Sequence, residues 1–320
     1  MICFIMTEGH RYTLENVRKE SRGPAIRVLN YDQLIGSRRL KRATYVFTDL
    51  DRLAYSDLEI AGRIYVQLRD AGVRVLNNPA KVKLRYSLLR ALNRAGINDF
   101  NVHPAEEIPQ GMRFPVYLRK MRGHGEPCTG LLQERHEVEK ALAEQIEAGV
   151  PAEHLMIIEY AGEPVRPGVY RKLSEFRMGS ALTPYLCGHD SHWLVKTGQV
   201  GIAGDDLYED EYRIVSDDPY ANSLREAFAL AEIEYGRADF GFYQGRPQIF
   251  EINTNPHIPA PGLHPSAKRV QTMDLAWKKI LQTLHTIDSE PGPDILLPKD
   301  NLLKRYRKWS RFLYRTREAS

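Results

Sequence analysis

Cysteine is scarce in this chain of 320 residues, and Cys3, Cys128 and Cys187 are odd in number and widely spaced. That pattern indicates neither a disulfide framework nor a cysteine metal cluster, and a reducing compartment is the simpler setting. Long apolar runs are missing as well; none approaches the ~20 residues of a membrane-spanning helix. The apolar start, residues 1–8, is short and lacks the basic leader and cleavage site of a signal peptide, so a cytoplasmic protein is expected. There is no internal repeat, no low-complexity tract, no phosphate loop of the Walker or Rossmann type and no Ser or Cys triad signature. Charge of one sign hardly dominates, since 45 Lys and Arg against 41 Asp and Glu leave a net +4. That balance says little about partners by itself, and nucleic acid is not expected among them. What is there is the composition of a globular protein, 42% hydrophobic and 27% charged, long enough for two or three subdomains around a sizeable core.

The most unusual chemistry lies in Arg237-Ala-Asp239-Phe-Gly-Phe-Tyr243 and Gln248-Ile-Phe-Glu251-Ile-Asn253-Thr-Asn255-Pro256. Both segments read as strands, and Gln244-Gly245-Arg246-Pro247 between them predicts a hairpin. Alternate strand residues share a face, so Arg237, Asp239 and Gly241 lie together, as do Glu251, Asn253 and Asn255, while Phe240, Phe242, Phe250 and Ile252 point the other way. The two polar faces meet if Asp239 stands opposite Glu251. That pairing needs an odd loop, such as three residues with Gly245 at positive φ. Two carboxylates and an amide oxygen beside a guanidinium call for a cation between them, and hard oxygen ligands suit Mg²⁺. The plainer alternative is a surface hairpin with solvated charges.

These residues resemble the metal-binding end of the ATP-grasp superfamily, the group that contains D-alanine:D-alanine ligase and glutathione synthetase. The family's order is Arg and Asp on one strand, then Glu-x-Asn on the next, and Arg237, Asp239, Glu251 and Asn253 supply all four. The resemblance implies an α/β (α+β) chain with the ATP-grasp fold, in which a small N-terminal open α/β domain precedes two α+β subdomains that clasp the nucleotide. The corresponding boundaries are 1–78 for the first domain, 79–160 for the N-terminal or lid subdomain, 161–288 for the catalytic subdomain, and 289–320 for a linker and basic tail. Short apolar runs at 2–6, 26–29, 45–48 and 73–76, with a helical pattern over 56–69, agree with such a first domain.

The resemblance then assigns further residues. Residues 81–95 read as a helix, and Lys83-Leu-Arg85 near its start is similar to the family's Lys-Leu-Arg, which makes Lys83 the first lysine on the phosphates; the alternative is a solvated Lys. Residues 114–120 form a strand that ends in Arg119 and Lys120, of which only one can face the site. The loop after it carries Gly123, His124 and Gly125, where backbone N–H groups can approach a triphosphate closely; Glu126, Pro127 and Cys128 depart from the family's small residues there, and His124 is a candidate substrate contact. The apolar run 155–158 ends in Glu159 and Tyr160, similar to the family's adenine-binding hinge. Arg171 and Lys172 stand where relatives carry a ribose carboxylate, so they face phosphate or an anionic substrate, and ribose recognition is unassigned. His192 and Lys196, in the segment 191–196 that precedes a polar, acidic stretch over 205–211, and Asn255 are the candidate acceptor contacts. Residues 221–235 predict a helix packed behind the hairpin.

The function implied is an ATP-dependent ligase that joins a carboxylate to an amine or thiol through an acylphosphate. Asp239, Glu251 and Asn253 would hold Mg²⁺, or Mn²⁺ in its place. Arg237, with Arg119 or Lys120, would steady charge on the transferring phosphoryl group. Two alternatives stay open: a kinase acting on a hydroxyl of an anionic small molecule, and a non-catalytic nucleotide-binding scaffold. The scaffold reading is motivated by the altered loop at Glu126, Pro127 and Cys128, with the protein held at a membrane by its tail, where Lys304, Arg305, Arg307, Lys308, Arg311, Arg315 and Arg317 interleave with Leu302, Leu303, Tyr306, Trp309, Phe312, Leu313 and Tyr314 within residues 299–320. Such a helix suits an anionic membrane surface at the inner face, or else packs its aromatic stripe on the domain.

Overall fold

A computed structural model describes residues 1–123 and 125–310; His124 and residues 311–320, with the part of the basic tail that falls there, lie outside the described residues. Ile2–Met6, Ile26–Asn30, Thr44–Phe47 and Val75–Leu76 form a four-stranded parallel sheet, with Ile2–Met6 between Ile26–Asn30 and Thr44–Phe47, and Val75–Leu76 at the edge beyond. Parallel strands are covered on both faces, which is why these segments read as unbroken apolar runs. One face packs on helix Tyr55–Asp70, whose Ile60, Ile64 and Leu68 recur at helical spacing as expected. The other face meets Phe176, Met178, Tyr235 and helix Ala267–His285.

The middle of the chain builds a three-stranded antiparallel sheet in which Leu155–Glu159 lies between Val102–Pro104 and Val116–Lys120. Helix Arg135–Glu147 covers its back through Val138 and Ala141. The last unit is a six-stranded sheet centred on Val169–Met178, Tyr235–Tyr243 and Arg246–Asn253. Behind the hairpin, Leu224, Ala227 and Phe228 of helix Ala221–Ala231 pack against Ala238, Phe240 and Ile249, as the sequence predicts.

Three elements differ from the expectations. The helix predicted over 81–95 begins only at Arg85, because Leu84 is extended and the Lys83 N–H is held by the Ala231 carbonyl. The acidic stretch, expected only as a polar segment, is the start of helix Asp205–Asp217, which buries Leu207, Tyr208, Ile214 and Val215 on one side. Past residue 289 the chain is docked: Ile295–Leu296 pairs with Arg39–Leu40, and Leu297 and Leu303 are fully buried in the first core, with Leu302 and Tyr306 against it. The apolar side of the first turns of the tail is thus spent inside the protein. Among the described residues no helix is long and apolar enough to cross a membrane.

Candidate active site between two sheets

The hairpin brings Asp239 opposite Glu251 and Arg237 opposite Asn253, the predicted register. The parity comes from a different source. The turn has two residues, Gln244 and Gly245, both at positive φ, and closes Tyr243 on Arg246. An even loop would set Asp239 against residue 250. The missing residue is supplied by a bulge at Phe250, since Phe240 pairs with Ile249 and Asp239 with Glu251. The bulge also turns Phe250, expected on the core side, so that its ring lies over Gly241 and lines the cavity. A Cβ on Gly241 would stand 2.9 Å from that ring, so the residue must be glycine for the ring to rest there.

A cavity of about 300 Å³ separates the three-stranded sheet from the hairpin sheet. One half is aromatic. Tyr117 and Tyr160 flank Trp193, with ring centroids 5.1 and 5.2 Å from it, and Phe242 and Phe250 complete the wall. The other half is ionic, lined by Arg85, Arg119, Arg171, Lys172, Lys196 and Arg237 against Glu163, Asp239 and Glu251. Asp210 and Glu126 pair with Arg171 and Lys196 from beyond the lining, so six cations meet five carboxylates and a small excess of positive charge is left.

Asp239 is buried and fully engaged. Arg237 grips it with Nε on Oδ1 at 2.8 Å and a terminal nitrogen on Oδ2 at 3.1 Å, Ser174 donates to Oδ1 at 2.9 Å, and Lys172 Nζ lies 3.1 Å from Oδ2. Burial works against the charged carboxylate, but Arg237 and Lys172 outweigh it and hold Asp239 below the usual carboxylate range. Glu251 is more open. Arg85 reaches its Oε2 at 2.8 Å while giving its other terminal nitrogen to the Gly123 carbonyl at 2.7 Å, and Asn253 stands 3.4 Å from Oε1. Among the described residues no three His, Cys, Asp or Glu converge as a metal-binding group. Glu251 and Asn253 offer oxygens to a divalent ion, whereas Asp239 already accepts three hydrogen bonds and has the Lys172 ammonium 3.1 Å from Oδ2.

The other expected residues divide clearly. Arg119 lines the cavity, its guanidinium disfavoured by burial and by Arg85, while Lys120 is exposed on the opposite side of the strand. Gly125, Tyr160, Lys172 and Lys196 also line the cavity, and Lys196 pairs with Glu126 of the loop after that strand. Glu159 turns away. Its carboxylate accepts the backbone N–H groups of Asn101 at 3.0 Å and Arg113 at 3.1 Å and meets His103 Nε2 at 3.1 Å; burial opposes its charge, and these donors lower its pKa nonetheless. Lys83 donates to the Leu230 carbonyl at 2.7 Å and, like Asn253, edges a narrow cleft beside Glu251 rather than the main cavity. His192 lies outside the cavity, with Nδ1 accepting from Leu194 N. Asn255 is tied to the N-terminal unit, accepting from Thr13 at 2.8 Å and donating to Asp49 at 2.9 Å.

Arg85, Tyr117, Ser174 and Phe250 were not among the expected site residues. Strand alternation could have found two of them, because Tyr117 shares a face with Arg119 and Ser174 with Lys172. Burial pushes the Tyr117 hydroxyl up to about 12 and the Cys187 thiol up to about 11, so neither is an anion at neutral pH.

No protein-family model matches the sequence, and no curated protein does. Among solved structures, the D-alanine–D-alanine ligase of Bacillus anthracis aligns with a TM-score of 0.52 at 13% identity, over 96% of this chain and 98% of that one. The D-alanine–D-alanine ligase of Coxiella burnetii aligns with a TM-score of 0.51 at 12% identity, over 97% of each chain. At such identity the likeness is one of fold. The chain has the ATP-grasp fold, with mixed helices and strands and two antiparallel sheets facing each other across the cavity.

Proposed function

We propose that this chain is an ATP-dependent ligase that joins a small-molecule carboxylate to an amine or a thiol. The observation that carries the reading is the divided cavity, in which an aromatic half lies beside an ionic half and both end at the Asp239–Glu251 pair. Tyr117, Tyr160 and Trp193 offer ring faces for a nucleobase, worth roughly 1–3 kcal/mol in stacking. Arg119, Lys172 and Lys196 would bind the phosphates. Glu251, with Asn253 beside it, would hold the Mg²⁺ that accompanies the nucleotide, and that ion would neutralise part of the phosphate charge.

In the reaction, a carboxylate oxygen of the donor attacks the γ-phosphorus and the bond to the β–γ bridging oxygen breaks, releasing ADP. The amine nitrogen then attacks the acyl carbon, inorganic phosphate leaves and the nitrogen loses a proton. Arg237 would act at both stages, because its guanidinium is fixed by Asp239 and stays charged: burial opposes that charge and Asp239 more than restores it. No covalent protein nucleophile is needed.

Calorimetric titration with a nonhydrolysable ATP analogue, with and without Mg²⁺, tests the reading beside the Glu251→Gln variant. Magnesium-dependent binding that weakens at least tenfold in the variant is expected. An absence of nucleotide binding in the wild type refutes the proposal. Product analysis then separates ligation, which consumes an amine and frees phosphate, from transfer of phosphate to a hydroxyl.

A further inference from the structure

The four contacts on Asp239 come from strand positions fixed by sheet pairing. Ser174 is the cross-strand partner of Asp239, Lys172 is two residues further along the same face, and Arg237 precedes Asp239 by two residues on its own strand. An ionised carboxylate has about four lone-pair sites; hydrogen bonds from Arg237 fill two and one from Ser174 a third, and Lys172 Nζ stands 3.1 Å from Oδ2 as an ion-pair partner. A magnesium ion would need to approach a carboxylate oxygen to about 2.0–2.1 Å. The position from which it could reach Oδ2 is the one that Lys172 Nζ holds at 3.1 Å. Lys172 is also pinned from its other side, donating to the Lys196 carbonyl at 2.7 Å, and its side chain is only 18% exposed. One of the ammonium's three donors is thereby used. The others are left for whatever fills the cavity that Lys172 lines.

We infer that Lys172 is a built-in cation at Asp239, standing where a divalent ion would otherwise bind and binding the nucleotide's phosphates itself. Asp239 is then the anchor of Lys172 and Arg237, and the ion that accompanies the nucleotide is carried by Glu251. The charge of the cavity agrees. A triphosphate that keeps a net negative charge after binding its metal is attracted by the small excess of cations, whereas one neutralised by further metal is not. The inference rests on the nucleotide reading above and deepens it.

The test uses Mn²⁺ as a spin probe. Bound Mn²⁺ is counted by electron paramagnetic resonance in the full chain saturated with a nonhydrolysable ATP analogue, and affinity for the metal-free analogue is measured alongside. The wild type is expected to bind one Mn²⁺ that is lost in Glu251→Gln and kept in Asp239→Asn. Lys172→Met should lower metal-free analogue affinity at least tenfold and add a second Mn²⁺, which disappears in Lys172→Met/Asp239→Asn. Should Asp239→Asn fail to fold, the Mn²⁺ count of Lys172→Met decides alone. An unchanged count there, or loss of Mn²⁺ in a folded Asp239→Asn, overturns the inference while leaving the nucleotide reading intact. Failure of the wild type to bind the analogue at all overturns both.

Discussion

Replacing Gly241 by alanine tests whether the bulged hairpin shapes the cavity. The added methyl would lie 2.9 Å from both Cε2 and Cζ of Phe250 and 3.5 Å from the Arg171 carbonyl oxygen. Carbon atoms rest about 3.5–4.0 Å apart, so the ring must withdraw by at least about 0.6 Å. The backbone behind it is fixed by the sheet, and the open direction is the cavity that Phe250 lines. Forced repacking of this kind costs about 1–3 kcal/mol, and a ring with a free side belongs at the lower end. For a chain of 320 residues that is a fall in Tm of roughly 1–2 °C. The larger effect falls on ligand binding, because the ring moves into space the nucleotide needs; a loss of about tenfold in analogue affinity is expected. Phe250→Leu shortens the side chain, so the double variant should recover at least half of the lost affinity, with a coupling of about 1 kcal/mol in a thermodynamic cycle. Thermal melts and calorimetry on the four proteins supply both quantities. Purely additive effects, or a Gly241→Ala protein that binds and melts like the wild type, would show that the ring does not depend on the glycine.

Arg119→Ala should weaken nucleotide binding by about 10–100-fold, the scale of one charged hydrogen bond, while Lys120→Ala stays within about twofold; equal effects in calorimetry would contradict their opposite placement on the strand. Glu159→Ala leaves two backbone donors and His103 without their acceptor, so stability should fall by on the order of 2–4 kcal/mol with nucleotide affinity kept, and a selective loss of affinity in a stably folded variant would return Glu159 to the site. Burial, with Asp218 adding to it, pushes the Glu175 carboxyl up to about 8 from an ordinary 4.5, and its Oε1 has no hydrogen-bond partner. The folded state therefore holds a proton that the unfolded chain releases, and stability is full below pH 4.5 and declines as the pH rises to about 8. Glu175→Gln should match the wild type in melts at pH 4 and exceed it at pH 8; a difference independent of pH would refute this.

Periodicity carried the sequence reading a long way. The alternation of apolar strands with the helical stripe of Ile60, Ile64 and Leu68 marked the first unit, and period two placed Arg237 with Asp239 on one hairpin strand and Glu251 with Asn253 on the other. The same rule stated that one of Arg119 and Lys120 faces the site. The acidic stretch 205–211 shows as no more than a polar segment, because its charges hide the spacing of Leu207, Ile214 and Val215, which is helical. The bulge at Phe250 left no trace of this kind, since an inserted residue looks like any other until a partner strand is beside it.

Local sequence thus determined most of the element types and which charged residues of each hairpin strand share a face, because backbone geometry repeats every two residues in a strand and about 3.6 in a helix, while the pairing of the two carboxylates needed the bulge at Phe250. Which face meets the cavity, and whether a charge arrives there already satisfied, was decided only by packing. Glu159 is withdrawn by partners 46 to 58 residues away, and Asp239 is filled by Ser174 and Lys172 from a strand some 65 residues earlier. A carboxylate's chemistry depends on the donors within about 3 Å of it, and in these two cases the deciding donors are brought close by sheet pairing and loop packing across long stretches of chain.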